Sequence, residues 1–155
     1  MAMTHEQSMQ FLQDFLYENL PLTKAMQVQV AAYDGESLVL TAPLHCNRND
    51  KETAFAGSIS SLATVCGWGL WMLWAKDNYD ECQVAVSHGD IQYKKPITTD
   101  FWAKAILPDA DILAHIQKTL SHKGKVRAQT YIAVGDDHQV GASQLAEYAL
   151  WRKTA

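Results

Sequence analysis

The chain has 155 residues, of which 48% are hydrophobic and 19% charged, and its formal net charge is −4 at pH 7. This length and composition are typical of one globular domain, residues 1–155, and exclude a disordered chain. The negative balance disfavours nucleic-acid binding, which needs a concentrated positive field.

The cysteines are odd in number and widely spaced, which fits neither a disulfide framework nor a zinc-ligand pattern. They are Cys46, Cys66 and Cys82. The first ten residues contain no basic stretch followed by an apolar run, so we expect no secretory signal. These features predict a reducing, cytoplasmic location, no metal site and no bound redox cofactor.

The N-terminal third predicts a helix followed by a β-hairpin. From Thr4 to Leu20 the apolar residues have helical spacing, and Pro21 is a stop signal. Apolar and polar residues then alternate from Met26 to Ala32 and again from Ser37 to Thr41, on either side of Asp34 and Gly35. Alternation around an Asp-Gly pair is typical of a hairpin.

The central segment, Thr53 to Ala75, contains no charged residue. A run of this length meets the length criterion for a transmembrane helix. Several serines and a threonine dilute it, and amphipathic strand-like segments flank it. We therefore predict a helix enclosed by its own protein, with Gly57, Gly67 and Gly69 allowing neighbouring backbones to come close.

The remaining sequence predicts four strands and a helix. We predict that the first two strands pair as a long hairpin, with a proline interrupting the ladder between them. The last two strands flank a turn. The strands are Gln83–Tyr93, Thr99–Leu107, Lys125–Val134 and Gln139–Trp151, and the helix runs from Asp109 or Asp111 to Gly124. Few parallel crossovers are possible, so the architecture is α+β and mostly antiparallel.

A buried helix that is entered through a polar loop and followed by four strands is the layout of the hotdog fold. The segment from Asn47 to Ser58 also resembles one hotdog family, the thioesterase-like domain found alone or fused behind an acetyltransferase domain in proteobacteria. That family includes malonyl-acyl-carrier-protein decarboxylases. The resemblance implies a long central helix wrapped by a curved, mostly antiparallel six-stranded sheet, and a homodimer or a dimer of dimers.

The start of the central helix is the predicted site. Unpaired N–H groups at a helix N-terminus suit a thioester carbonyl that becomes an oxyanion. We expect these groups near Ala56, Gly57 and Ser58, with Phe55 beside them. Gly57 lets a ligand approach the backbone, although close packing alone would also explain a glycine there.

Hydrolysis of the thioester needs a carboxylate that activates water or attacks directly. The central helix has no such residue, so a hydrolase would depend on Asp50 or Glu52 in the preceding loop. The alternative for this pair, which lies beside Arg48 and Lys51, is solvated surface.

Decarboxylation needs no general base; it needs a carbonyl clamp and a neutral donor that holds the carboxylate. The resemblance implies that Asn47 is this critical donor, although a loop asparagine can also cap its own turn. Asn49 and Thr53 are secondary candidates, Thr53 being also a plausible helix N-cap. His45 is a candidate proton donor to the enolate.

The leading hypothesis is therefore decarboxylation of malonyl-acyl carrier protein to acetyl-acyl carrier protein at the start of fatty-acid synthesis. The alternatives are an acyl-coenzyme A or acyl-carrier-protein thioesterase and a non-catalytic acyl-thioester binding module. The substrate would be carried on the phosphopantetheine of the carrier protein or of coenzyme A. Basic residues at strand ends and turns are candidates for meeting its phosphate or the acidic carrier.

Overall fold

The computed structural model describes residues 2–153, in which six strands form one sheet around a long helix. The helices are α1 (His5–Asn19), α2 (Pro21–Ala25), α3 (Ala56–Asn78) and α4 (Ala110–Lys123). The strands are β1 (Gln29–Tyr33), β2 (Ser37–Ala42), β3 (Cys82–Tyr93), β4 (Phe101–Ile106), β5 (Lys125–Gly135) and β6 (Val140–Arg152). Their order is β1-β2-β4-β5-β6-β3, with every neighbouring pair antiparallel. The predicted hotdog architecture is confirmed.

The N-terminal region follows the sequence signals with one addition. Thr4 caps α1 through a capping box with Gln7. Pro21 ends α1 as predicted, but it also begins the short helix α2, because its fixed φ suits a first helical position. The hairpin of β1 and β2 is confirmed, and Gly35 takes a positive φ of 90° in its turn.

The central helix α3 lies in the core, packed against five of the six strands and against α1. Leu62, Cys66, Leu70 and Trp71 are fully buried. By length and composition α3 could cross a membrane, but half of its most apolar window is buried by the rest of the chain. Burial raises the pKa of the Cys66 thiol to about 12, so this cysteine stays protonated.

Two glycines of α3 give room to side chains of neighbouring elements. The aromatic ring of Tyr148 lies against Gly67, and its hydroxyl donates a hydrogen bond to the Thr64 carbonyl at 2.8 Å. The methyl ends of Leu12 and Leu38 lie against Gly69. The prediction of close approach is correct, but side chains make the contact where we expected backbones.

The predicted hairpin between the third and fourth strands is wrong. β3 is an edge strand that pairs with β6, whereas β4 lies between β2 and β5. The connection leaves the ladder because Pro96 has no N–H group and the N–H groups of Lys94 and Lys95 donate to the Gly141 carbonyl, at 2.8 and 3.0 Å. The chain therefore passes the end of β6 and joins the sheet as β4, between β5 and β2.

The C-terminal half agrees with the prediction. Asp109 is the N-cap of α4, and Gly124 ends it in the left-handed conformation with φ at 76°. β5 and β6 then form the predicted hairpin. Trp71 and Trp74 lie in the core, with their rings edge to face at 5.4 Å.

We predict that Gly67→Ala destabilises the protein by about 1–3 kcal/mol, because the added methyl group would displace the Tyr148 ring. Gly69→Ala is the matched control in the same helix. Its methyl group would meet only leucine methyl groups at 3.1 Å, which can shift. Urea unfolding measures both. Equal free energies of unfolding for the two variants would contradict the assigned packing.

Candidate functional site

The polar loop before α3 is fixed by backbone hydrogen bonds to two parts of the fold. The Phe55 N–H donates to the Asn47 carbonyl, and the Ala54 N–H donates to the Ile97 carbonyl, each at 2.8 Å. Ile97 is almost fully buried and lies in the connection between β3 and β4. The first turn of α3 is thereby held between the loop and that connection.

The start of α3 carries N–H groups with no side-chain cap. Phe55 occupies the N-cap position, and its side chain cannot accept a hydrogen bond. The first intrahelical bond runs from the Ile59 N–H to the Phe55 carbonyl at 3.0 Å. The N–H groups of Ala56, Gly57 and Ser58 precede it and therefore have no hydrogen-bond partner within the helix. The prediction of Thr53 as N-cap is wrong, because the helix begins two residues later than that position requires.

Gly57 lies beneath the ring of Phe55, which is 53% exposed. A side chain at Gly57 would collide with that ring. The glycine therefore makes room for Phe55 on this side of the backbone. Access of a ligand to the Gly57 N–H remains a prediction.

Asn47 is 2% exposed, and its amide nitrogen is committed to the protein. Nδ2 donates to the Met26 carbonyl at 2.9 Å and to the Pro43 carbonyl at 2.8 Å. Its Oδ1 is buried without a partner among the described residues. In this conformation both amide hydrogens of Asn47 are used within the chain and Oδ1 is shielded from solvent, so the donor role toward a ligand stays a prediction.

Asn49 and Thr53 form a small hydrogen-bonded unit in the same loop. Asn49 Nδ2 donates to Thr53 Oγ1 at 2.8 Å. Asn49 Oδ1 accepts from the N–H groups of Lys51 and Thr53 at 2.8 and 3.1 Å. Since Thr53 Oγ1 accepts from Asn49, its own hydroxyl hydrogen can point away and donate to a ligand.

A cavity of about 270 Å³ opens beside these residues. Most of its wall is apolar, and we call it the polar cavity after the polar side chains among its lining residues. Its walls include Asn49, Thr53 and Ala56 on one side, and Tyr93, Lys94 and Lys95 at the end of β3 on the other. None of the residues lining this cavity is an aspartate, a glutamate or a histidine. Lys94 and Lys95 are two of the basic residues at strand ends and turns that we expected to meet the phosphate or the carrier. Tyr93, whose hydroxyl lies 3.3 Å from the Ala56 carbonyl, was not predicted.

Asp136 does not line the polar cavity, but it fixes the connection between β3 and β4 that forms part of the cavity wall. Its Oδ2 accepts from the Thr98 N–H at 2.9 Å, and its Oδ1 accepts from the N–H groups of His138 and Gln139. Burial acts to raise the pKa of Asp136, but the three N–H groups outweigh it and keep that pKa below the usual range. Asp136 therefore stays ionised and keeps Thr98, next to Ile97, in place.

The other predicted residues lie outside the polar cavity. Asp50 and Glu52 are exposed, and Asp50 forms an exposed ion pair with Lys51 at 3.2 Å. His45 is also exposed. Ser58 is half-buried one residue after Gly57. Among residues 2–153 no three His, Cys, Asp or Glu side chains lie close enough together to hold a metal ion.

The fold and the site define a hotdog protein whose helix N-terminus opens beside a polar cavity, the arrangement of acyl-thioester proteins. A family model described as "Putative thioesterase (yiiD_Cterm)" matches residues 9–152. The chain belongs to this family.

Solved structures share the fold along nearly their whole length. A protein of unknown function from Chlorobaculum tepidum is 29% identical, with a TM-score of 0.92 and coverage of 98% of this chain and 99% of its own. A thioesterase-like protein from Shewanella oneidensis is 23% identical, with a TM-score of 0.83 and coverage of 93% and 97%. A protein from Pseudomonas aeruginosa, described as a "Probable Thioesterase", is 19% identical, with a TM-score of 0.83 and 99% coverage of both chains.

We predict that Asn47→Ala lowers the free energy of unfolding by about 2–3 kcal/mol, because the Met26 and Pro43 carbonyls lose their donor. Denaturant unfolding measures the loss. His45→Ala, at an exposed position of the same loop, should change stability by less than about 0.5 kcal/mol. A fully stable Asn47→Ala protein would show that these hydrogen bonds do not hold the loop.

Proposed function

We propose that this protein decarboxylates malonyl-acyl carrier protein to acetyl-acyl carrier protein. One observation carries the proposal: the uncapped start of α3 lies beside a cavity whose polar lining residues are neutral donors and lysines, in a mostly apolar wall without a carboxylate. Decarboxylation is the acyl-thioester reaction that needs a carbonyl clamp and no general base. A carboxylate in the cavity would repel the malonyl group.

The thioester carbonyl binds at the first turn of α3. There the N–H groups of Gly57 and Ser58 donate to its oxygen, and the partial positive charge of the helix terminus favours the negative charge that develops. Removing one such donor in other enzymes costs on the order of 100-fold to 1000-fold in rate. These groups belong to the backbone and are in position before the substrate arrives.

The malonyl carboxylate occupies the polar cavity. The Thr53 hydroxyl donates to it and, with Asn49 behind it, fixes the angle between the carboxylate and the plane of the thioester. Lys94 and Lys95 are exposed at the rim, where their charge attracts an anionic substrate without being buried against it. Positioning of this kind aligns the breaking bond with the carbonyl.

The reaction then balances without any protein acid or base. The bond between the carboxylate carbon and the α-carbon breaks, carbon dioxide leaves, and the bonding electrons form the thioester enolate. The enolate carbon takes a proton from water to give the acetyl thioester, and the hydroxide that remains combines with the carbon dioxide to give bicarbonate. Asn47 is buried and outside the lining of the polar cavity, and its part is to hold the loop through the Met26 and Pro43 carbonyls. Asn47 thus becomes a positioning residue, and the exposed His45 is not required.

The acyl carrier protein is the proposed partner, with its phosphopantetheine arm entering past Lys94 and Lys95. Coenzyme A carries the same arm and is the second possible carrier. The product would serve initiation of fatty-acid synthesis, and the proposed location is the cytoplasm.

Thioester hydrolysis is the second candidate function, favoured by the description of the family. It would have to use Asp50 or Glu52, both exposed and outside the polar cavity. A water activated by either carboxylate would lie in open solvent and would not be directed at a thioester bound at the start of α3. The geometry therefore favours decarboxylation.

We predict that purified protein converts malonyl-acyl carrier protein to acetyl-acyl carrier protein, as followed by mass spectrometry of the intact carrier. Thr53→Val keeps the shape and removes the donor. It should slow conversion roughly 10-fold to 100-fold, the value of one hydrogen bond to a charged group. An acetyl-carrier control shows whether the product itself is hydrolysed.

The competing reaction has a different product and different essential residues. Release of the free-thiol carrier, together with loss of activity in Asp50→Asn or Glu52→Gln, would show that the protein hydrolyses the thioester and would contradict decarboxylation. Unchanged malonyl carrier, under conditions where the protein is folded, would contradict both reactions and leave a binding module.

The proposed assembly is a homodimer, with pairs of dimers as a further step, formed through the edge strand β3. β3 is 12 residues long, pairs only with β6 among the described strands, and exposes Val86 and Tyr93. A long unpaired edge is a template for pairing with another chain. The polar cavity lies at the end of this strand, so dimerisation would place a second subunit near it.

We predict a dimer or tetramer in light scattering at micromolar protein concentration. Val86→Lys places a charge on the exposed edge strand and should shift the population toward the monomer. Ile112→Lys, on the exposed surface of α4, is the control that should leave the mass unchanged. A monomeric wild-type protein would contradict the proposed assembly.

A further inference from the structure

The outer face of the sheet carries two cations and a tryptophan at the end where β5 begins and β6 finishes. Lys125 is the register partner of Trp151, and Arg127 is the partner of Ala149. Leu150 is fully buried, and side chains alternate along a strand, so these four side chains point away from the core. They are among the residues that line a depression of about 400 Å³. We call these four residues the basic patch.

The charge of this region is opposite to that of the whole chain. Residues 112–135 contain no Asp or Glu. Residues 112–153 contain six Lys or Arg and three Asp or Glu, a formal charge of +3, whereas the chain has −4. Two of the three acidic residues, Asp136 and Asp137, lie in the turn at the opposite end of the β5–β6 hairpin.

Little of this positive charge is used within the fold. Arg127 lies 3.3 Å from the carboxylate of Glu147, and Lys125 forms no ion pair within the part of the chain that the structure describes. Lys123 and Lys153, which flank the patch in the sequence, are exposed as well. A positive field on an otherwise acidic protein attracts an acidic partner and orients it toward this surface.

Trp151 gives the basic patch an apolar anchor. It is 40% exposed, and Ala149, next to it on the same face, leaves room for an apolar side chain against the ring. Trp and Arg dominate the binding energy of many protein interfaces. Lys125 and Arg127 are about 7 Å apart along the strand, similar to the spacing of about 6 Å between side chains one helical turn apart. The patch therefore fits an acidic helix better than a single phosphate, around which donors converge.

The basic patch is distant from the polar cavity of its own subunit. Gly141 lines that cavity, and Trp151 lies at the other end of β6. Along the strand the two residues are about 33 Å apart. The phosphopantetheine arm of a carrier docked on the patch cannot span that distance.

The proposed pairing of two β3 strands brings the basic patch close to a different polar cavity. Asp80 and Glu81 precede β3, and Lys94 and Lys95 follow it. Antiparallel pairing of β3 with its copy therefore places opposite charges side by side at both ends. In this arrangement the start of one β3 lies beside the end of the other.

In that dimer the basic patch lies beside the polar cavity of the second copy. At this end of the sheet β3 pairs with β6, and β6 pairs with β5. Neighbouring strands are about 4.8 Å apart, so the patch lies roughly 10 to 15 Å from the end of the second copy's β3. The arm would pass round the end of the sheet there, where the partner's Lys94 leaves it.

We propose that the basic patch of one subunit binds the acidic carrier protein whose acyl group reacts in the polar cavity of the other subunit. The carrier presents acidic side chains one turn apart on a helix to Lys125 and Arg127, and an apolar side chain to Trp151. This rests on the proposed function and on the proposed dimer, and it names the surface that selects the carrier.

The test is steady-state kinetics of Lys125→Glu combined with Arg127→Glu, which reverses the charge of the patch. The KM for malonyl-acyl carrier protein should rise roughly 10-fold, with kcat changed less than about twofold. The KM for malonyl-coenzyme A should stay the same, because coenzyme A has the arm but no protein. Lys24→Glu combined with Lys104→Glu makes the same charge change at exposed positions outside the patch and should alter neither KM.

Two results would overturn the proposal. One is an unchanged KM for malonyl-acyl carrier protein in the patch variant. The other is an equal rise in the KM for malonyl-coenzyme A, which would assign the patch to the phosphate that both substrates carry.

A mixed dimer tests which subunit the basic patch serves. One chain carries Lys125→Glu with Arg127→Glu, the other carries Thr53→Val, and two different affinity tags select the mixed dimer. If the patch serves the other subunit, the intact patch lies beside the intact cavity, and about half of the wild-type kcat is expected at the wild-type KM. Absence of this activity would show that each patch serves its own subunit and would overturn the assignment.

Titration calorimetry with the holo-carrier, which bears no acyl group, separates this proposal from the reaction. Weaker binding to the patch variant than to the Lys24→Glu and Lys104→Glu control, without conversion of malonyl-acyl carrier protein, would support docking and refute decarboxylation. Conversion with equal carrier affinity in the patch variant and the control would do the reverse.

Discussion

The burial of α3 is the constraint on which the rest of the structure depends. A helix of 23 residues that is uncharged until Lys76 must be covered by apolar surface over much of its length. The sheet curves around it, and α1 packs on it. Its N-terminus still has to emerge, because unpaired N–H groups cannot be buried without partners. The structure meets both requirements by bringing the first turn of α3 to the surface beside a polar loop.

The loop before α3 is held in place by its own polar side chains. Asn47 joins the loop to the end of α2, and Asn49 joins it to Thr53. Each asparagine uses its amide nitrogen within the chain. Since Asn47 Oδ1 is shielded from solvent, the proposed reaction uses only the Thr53 hydroxyl and the backbone of this region. The charged residues beside the polar cavity are the exposed Lys94 and Lys95.

Most of the fold could be predicted because the strongest signals in the sequence are local. The uncharged central run, the Asp-Gly turn and the Asp109 and Gly124 caps each have a local physical cause. The pairing of β3 could not be predicted in this way, because it depends on hydrogen bonds to the carbonyl of Gly141, a residue distant from β3 in the sequence. Thr53 is not the helix cap because α3 begins only at Ala56, and the Thr53 hydroxyl accepts from Asn49 instead. Tyr93 reaches the start of α3 from β3, and one sequence carries no signal for such a contact between separate elements.

The uncapped start of α3 also has a consequence for how such a protein can diverge. A clamp made of backbone N–H groups survives nearly every amino-acid replacement, proline excepted. The side chains on different faces of the first three turns, Ala56 and Ile59 on one and Ser61 and Val65 on another, can vary independently around it. Relatives that share little sequence can therefore retain the proposed thioester anchor while changing what it binds.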